Sequence, residues 1–161
     1  MLKFIFAESI AYLSLVRELF LEYAESLGFS LCFQDFDKEL ARLPGEYAPP
    51  AGCLLLAIVD SIPCGCVALH KLEDGICEMK RLYVKPEFRG KGFGKFLVNA
   101  VIDEAKKIGY TKMRLDTVPQ MKEAINLYRE VGFKEIEPYR ENPIGGALYM
   151  EMDLKSEQLI S

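Results

Sequence analysis

Apolar and polar positions alternate along the chain in two different periods, and the switch between them marks out short strands and amphipathic helices. Leu2–Phe6 reads as a strand. Across residues 8–27, apolar side chains recur at Ile10, Leu13, Val16, Phe20, Tyr23 and Leu27, one face of a helix that Gly28 should end. The pattern then breaks until Gly52, with a short helix expected over residues 36–43 before Pro44-Gly45 and Pro49-Pro50. Three strands follow at Cys53–Val59 and residues 64–71 and 77–84, joined by Asp60-Ser61-Ile62-Pro63 and Glu73-Asp74-Gly75. Such short connections predict an antiparallel meander.

Beyond Lys85-Pro86 and a glycine-rich stretch, Phe96, Leu97, Ala100, Val101 and Ala105 fall at helical spacing, and the helix should end at Lys106, Lys107 and Gly109. Lys112–Thr117 is the next strand, residues 121–131 a second amphipathic helix closed by Gly132, and residues 133–137 and 147–154 the last two strands. A strand, loop, helix, strand succession is a crossover, so strands 77–84 and 112–117 should run parallel within an otherwise antiparallel sheet. The expected class is therefore mixed α/β (α+β), with a sheet of about six to seven strands flanked by helices.

The 161 residues suit one domain over residues 1–161. A net charge of -4 has the wrong sign for wrapping nucleic acid, so no nucleic-acid partner is expected. No apolar run approaches the ~18 residues that cross a bilayer, and Glu8 and Arg17 interrupt the apolar amino terminus. These features predict no membrane partner and a cytoplasmic location. Five cysteines (Cys32, Cys53, Cys64, Cys66, Cys77) lack paired spacing and His70 is the lone histidine, so no metal site is expected. Period two would place the sulfurs of Cys64 and Cys66 on one strand face, as buried thiols, and His70 reads as an ordinary strand-end side chain.

Chemistry concentrates in Arg89-Gly90-Lys91-Gly92-Phe93-Gly94-Lys95, between a strand and a helix. Free amides and the positive helix end invite an anion there, and glycines let it approach. A Walker loop would need Gly at Arg89 and Ser or Thr at Phe96, and a dinucleotide fingerprint lacks its third glycine. Both nucleotide motifs fail.

Arg89, Gly92 and Gly94 instead have the spacing R/Q-x-x-G-x-G/A and the segment resembles the acyl-coenzyme-A loop of the GNAT family of N-acetyltransferases. The likeness extends to Glu78-Met79-Lys80-Arg81-Leu82-Tyr83-Val84, similar to the family's fourth strand. It extends also to Ala124-Ile125-Asn126-Leu127-Tyr128-Arg129-Glu130-Val131-Gly132-Phe133, similar to its A-x-x-L-Y-x-x-x-G-F helix ending. The resemblance implies the GNAT acyl-CoA N-acyltransferase fold, whose central parallel pair splays apart. Acetyl-coenzyme A would lie in the gap as co-substrate, its diphosphate on the amides of Arg89, Gly90, Lys91, Gly92, Phe93, Gly94 and Lys95. Backbone groups of Leu82, Tyr83 and Val84 would pair with the pantetheine like an added strand.

The same resemblance gives catalytic candidates. Glu78 stands where similar enzymes carry a carboxylate that deprotonates the amine, directly or through water; its other reading is a surface carboxylate. Tyr128 matches a tyrosine near the sulfur that acts as general acid, or else packs in the core with Ala124, Leu127 and Val131. Asn126 resembles a cofactor-contacting amide, or is an exposed helical Asn. Lys80 and Arg81 should point to opposite faces, so that one of them at most looks into the cleft; the other reading is a structural salt bridge.

The acceptor, a small-molecule or peptide amine, would enter between residues 22–47 and 139–146. There Asp35, Asp37, Glu39, Glu46 and Tyr47 form either a lining for a cationic amine or a solvated acidic face. Pro143-Ile144-Gly145-Gly146 is a closing loop or a plain turn. The implied activity is acetyl transfer to a primary amine by direct attack in a ternary complex; the alternative is a catalytically idle acyl-coenzyme-A sensor. A homodimer is left open.

Overall fold

A computed structural model describes residues 1–27, 35–140 and 145–154. The element order is β1 (Leu2–Phe6), α1 (Ile10–Leu27), α2 (Phe36–Arg42), β2 (Cys53–Val59), β3 (Ile62–Glu73), β4 (Ile76–Val84), α3 (Phe93–Ile108), β5 (Lys112–Thr117), α4 (Lys122–Val131), β6 (Lys134–Ile136) and β7 (Leu148–Asp153). All seven strands form one sheet in the order β1-β2-β3-β4-β5-β7-β6. The expected meander is present, and β4 beside β5 is the parallel pair. Gly28, Cys32 and Pro143-Ile144 lie outside the described residues.

Both faces of the sheet are covered, which explains why the central strands read as nearly continuous apolar runs. Leu55, Val67, Leu69, Met113 and Met150 pack against Leu97 and Val101 of α3 and Tyr128 of α4. Leu54, Leu56 and Ala68 pack on the opposite side against Val16, Leu19 and Phe20 of α1 and Phe36 of α2. Helix α3 ends as expected, with Gly109 left-handed and Lys106 and Lys107 in its last turn.

Two bulges correct the strict alternation read from the sequence. Ala57 pairs with Gly65 and Ile58 with Pro63, leaving Cys64 as an extra residue. Cys64 therefore joins the α3 side of the core and Cys66 the α1 side, so the two sulfurs lie on opposite faces. In β4, Cys66 pairs with Tyr83 and Ala68 with Lys80, so Arg81 and Leu82 share the place opposite Val67. Arg81 has φ 61°, a left-handed conformation within a strand and costly for a side chain with a Cβ. Lys80 and Arg81 consequently both lean toward α2 instead of toward opposite faces: Arg81 bonds Glu39 of α2, and Lys80 borders a cavity with the same Glu39.

The second bulge sits where β4 parts from β5. The two strands are in register only at Ile76–Lys112, Cys77–Met113 and Glu78–Arg114, whereas β5 goes on pairing with β7 to Thr117. The splay implied by the resemblance is thus a loss of pairing after Glu78. Gly65 lets β3 follow β4 through this bend, because a Cβ there would lie 2.6 Å from the Tyr83 carbonyl oxygen and 3.1 Å from Leu97 Cδ1. Gly65→Ala should cost about 2 kcal/mol through this overlap. Thermal unfolding should show a Tm drop of roughly 4–8 °C, and an unchanged Tm would mean that β3 need not approach β4 so closely.

Candidate active site

The parting of β4 and β5 leaves a cavity of about 390 Å³ bounded by β4, the glycine loop and the start of α4. Leu82, Tyr83 and Val84 line it from β4, and Arg89, Gly90, Gly92, Phe93 and Gly94 from the loop. Gly92 is the N-cap of α3 in a left-handed conformation, φ 82°, and no side chain caps this helix. The first-turn amides therefore face the cavity with the positive end of the helix dipole behind them. Gly90 is left-handed too, and a Cβ on either residue would meet nothing within 4 Å. This is the shape and polarity that a diphosphate needs: bare amides, no side chain in front of them and room to approach.

Other predicted contacts are arranged differently. Lys91 Nζ lies 5.9 Å from the Phe88 ring centroid, Lys95 pairs with Glu130 at 2.7 Å, and neither lines the cavity. Arg89 donates from Nε to the Val84 carbonyl at 2.8 Å, which ties the loop to the end of β4. Asn126 is exposed on α4 and does not line the cavity, although Ala124 and Leu127 do.

Tyr128 is buried, its ring edge-on to Phe133 with centroids 5.8 Å apart. Burial raises its pKa well above the usual phenol value, and the charges of Tyr23 and Asp116 act in the same direction. The ring serves the core, and Tyr128 is not among the residues that line the cavity. Burial also pushes the Cys53 and Cys77 thiols up to about 12, which leaves neither a thiolate nucleophile at neutral pH.

Glu78 is fully buried at the point where β4 and β5 separate. His70 Nε2 donates to its Oε1 at 2.7 Å, Arg140 Nη2 to the same oxygen at 2.9 Å, and the Tyr139 hydroxyl to Oε2 at 2.7 Å. Arg140 Nη1 lies beside Oε2 and 3.5 Å from Asp116. Burial alone would raise the Glu78 pKa, but the hydrogen bonds from His70 and Arg140 prevail and hold the carboxyl well below the usual range. Tyr139 also stacks edge-on with Tyr149, whose hydroxyl donates to the Arg140 carbonyl at 2.8 Å.

His70, Tyr139 and Arg140 were not singled out from the sequence as site residues, yet one signal was there. A hairpin turn centred on Asp74 pairs position 70 with position 78, and that register is observed. The polar pair His70 and Glu78 interrupts two apolar strands at facing positions. Nothing local announces Arg140, which arrives from 62 residues away. Of the proposed acidic lining, Glu39 is held by Arg81 at 2.9 and 2.7 Å and Glu46 lies 3.1 Å from His70 Nδ1. Both carboxylates are already engaged by cationic or ring partners. Among the described residues no group of His, Cys, Asp and Glu could hold a metal, and no helix is long and apolar enough to cross a membrane.

Comparison with known proteins gives a consistent picture. Residues 13–133 match the model of the acetyltransferase (GNAT) family. An uncharacterised N-acetyltransferase of Schizosaccharomyces pombe is 44% identical over 135 residues, covering 83% of each chain. A GNAT-family acetyltransferase from Staphylococcus aureus superposes with a TM-score of 0.78 at 21% identity, over 96% of this chain and 100% of that one. The PaiA N-acetyltransferase of Thermoplasma acidophilum, solved in complex with coenzyme A, gives 0.71 at 23% identity, over 95% and 99%.

The Glu78 cluster should dominate acid sensitivity. Its carboxyl binds protons less tightly folded than unfolded, so its contribution to stability is complete above the ordinary value of 4.5 and fades as pH falls below it. Glu78→Gln should cost about 3 kcal/mol by leaving Arg140 short of a buried counter-charge. Its unfolding midpoint should change less between pH 6 and pH 3, at ~RT-scale differences per proton, than that of the unsubstituted protein. Parallel acid profiles for the two proteins would contradict this assignment.

Proposed function

This chain belongs to the GNAT family of acetyltransferases, and from that membership and the cleft we propose that it transfers acetyl from acetyl-coenzyme A to a primary amine by direct attack in a ternary complex. The observation that carries this reading is the pairing-free gap between β4 and β5, open beside an uncapped glycine loop. The thioester supplies an activated acetyl carbonyl. Amides from Gly90 to Lys95 would hold the diphosphate, and the free backbone edge of Leu82, Tyr83 and Val84 would align the pantetheine.

The amine nitrogen forms its bond to the acetyl carbon as the carbon–sulfur bond breaks, and the proton lost from nitrogen balances the one gained by sulfur. Tyr128 is fully protonated at neutral pH and would be the donor for the departing thiolate. Glu78 is held as an anion with its lone pairs already engaged. That favours a role in fixing Arg140 and Tyr139 at the acceptor side, with the acceptor ammonium losing its proton to water. The acceptor is a small-molecule or peptide amine.

The same engagement of Glu78 is what a non-catalytic acyl-coenzyme-A sensor would also show. Release of free thiol from acetyl-coenzyme A, followed across a panel of primary amines, separates the two. Acetyl transfer predicts amine-dependent release, and background rates with every amine would leave only the sensor. Two substitutions divide binding from chemistry. Gly94→Val would project between Leu127 and Val84, whose side chains lie 3.5 and 3.9 Å from a Cβ there. It should weaken coenzyme A binding by about tenfold or more in calorimetry. Tyr128→Phe should leave that affinity unchanged and lower kcat by roughly a hundredfold; an unaltered kcat would remove the tyrosine from the reaction.

A further inference from the structure

The proton that an acceptor ammonium must shed needs a base on the sheet face from which the amine arrives. Glu78 is already committed: His70, Tyr139 and Arg140 all donate to its two oxygens, and the bonds from His70 and Arg140 hold it as a weakly basic anion. His70 lies behind it, its ring nitrogens 2.7 Å from Glu78 and 3.1 Å from Glu46. Cys53 and Cys77 belong to the core beneath α3, on the other face. A further carboxylate lies at the fork: Asp116 of β5, with 9% of its side chain exposed.

Its place follows from the strand. Met113 and Leu115 join the core beneath α3 and α4, so alternation turns Arg114 and Asp116 to the opposite face, the one covered by α1 and α2. The register of β5 with β7 is unbroken from Lys112 to Thr117, with Asp116 opposite Tyr149. Asp116 therefore stands about 7 Å beyond Arg114 at ~3.3 Å per residue. Pairing of β5 with β4 ends at Arg114, so Asp116 is carried on the part of β5 that borders the gap. Its Oδ1 is 3.5 Å from Arg140 Nη1, an ion contact, while Nη2 of the same guanidinium donates to Glu78. Burial raises the pKa of Tyr23 on α1, Tyr128 on α4 and Tyr139 after β6, and the charge of Asp116 acts in the same direction on each. An acid for the sulfur and a base for the amine serve best from two sides of the acetyl carbon. Tyr128 belongs to the α3 and α4 side and Asp116 to the α1 side.

We infer that Asp116 is the base of the reaction, receiving the acceptor's proton through one water. An N–H bond of the ammonium breaks with its electron pair left on nitrogen, and the water that takes the proton passes one of its own to a carboxylate oxygen of Asp116. The neutral amine then attacks the acetyl carbon. The second proton lost from nitrogen is the one that sulfur gains, and Asp116 returns its proton to bulk water once the products leave. This inference rests on the acetyl-transfer reading.

The test compares the full chain with Asp116→Asn, which keeps an oxygen for Arg140 but loses the basicity. Amine-dependent thiol release would be followed from about pH 7 to about pH 10, where alkylamines of pKa ~10.4 shed the proton unaided. At about pH 7 the substitution should lower kcat/KM by about a hundredfold, and near pH 10 by less than about tenfold. Calorimetry should give coenzyme A affinities within about twofold of each other, and Asp116→Ser repeats the comparison if the amide variant does not fold. A loss of the same size at both ends of the range would make Asp116 an anchor for Arg140 and overturn the assignment. An unchanged kcat/KM at about pH 7, or a parallel loss of coenzyme A affinity, would overturn it as well. Background release by the unsubstituted protein with every amine would end the acetyl-transfer reading and this one with it, whereas a pH-independent loss would end this one alone.

Discussion

The loss of pairing between β4 and β5 after Glu78 is the constraint on which the rest of the molecule depends. Two parallel strands that begin in register would ordinarily continue so, since each further step adds hydrogen bonds. Here one extra residue, Arg81, is inserted into β4 in a left-handed conformation, and beyond it the strand follows β3 instead of β5. The strain is offset locally: the Arg81 guanidinium sits bidentate on Glu39 and over the Phe36 ring at 5.2 Å. Opening the sheet exposes backbone edges on both strands, and an extended ligand is a natural complement to such an edge.

The same bulge links the two sides of the site. On one side, Leu82 and Val84 turn toward α3 and α4 and wall the cavity beside the glycine loop. On the other, Lys80 and Arg81 both face α2, which concentrates positive charge where a regular strand would have presented one cation. Glu78 closes the arrangement at the fork. By drawing in His70 from β3, Arg140 and Tyr139, it ties the segment after β6 across the splayed pair. An anion so placed stiffens the fork and fixes the direction of two acceptor-side residues.

Much of this was legible in the sequence because local rules govern it. Strands Cys53–Val59 and Lys112–Thr117 have the boundaries that apolar runs and turn residues mark, and the glycine loop lies where a crossover must turn. Period-two reasoning failed at Cys64 and Arg81 for a single physical cause: a bulge adds a residue without altering composition or hydrophobicity. Side-chain chemistry was harder to see. His70 looked ordinary until hairpin register placed it opposite Glu78, and Arg140 and Tyr139 come together with Glu78 only through the three-dimensional path of the chain. Tyr128 packs in the core, one of its two readings, with its ring edge-on to Phe133.

The most direct test of this account is a crystal structure with acetyl-coenzyme A bound. The diphosphate should accept hydrogen bonds from main-chain amides between Gly90 and Lys95, with the pantetheine running along Leu82–Val84 and the thioester beside Tyr128. Density for the ligand away from the fork, or β4 and β5 zipped together beyond Glu78, would contradict it.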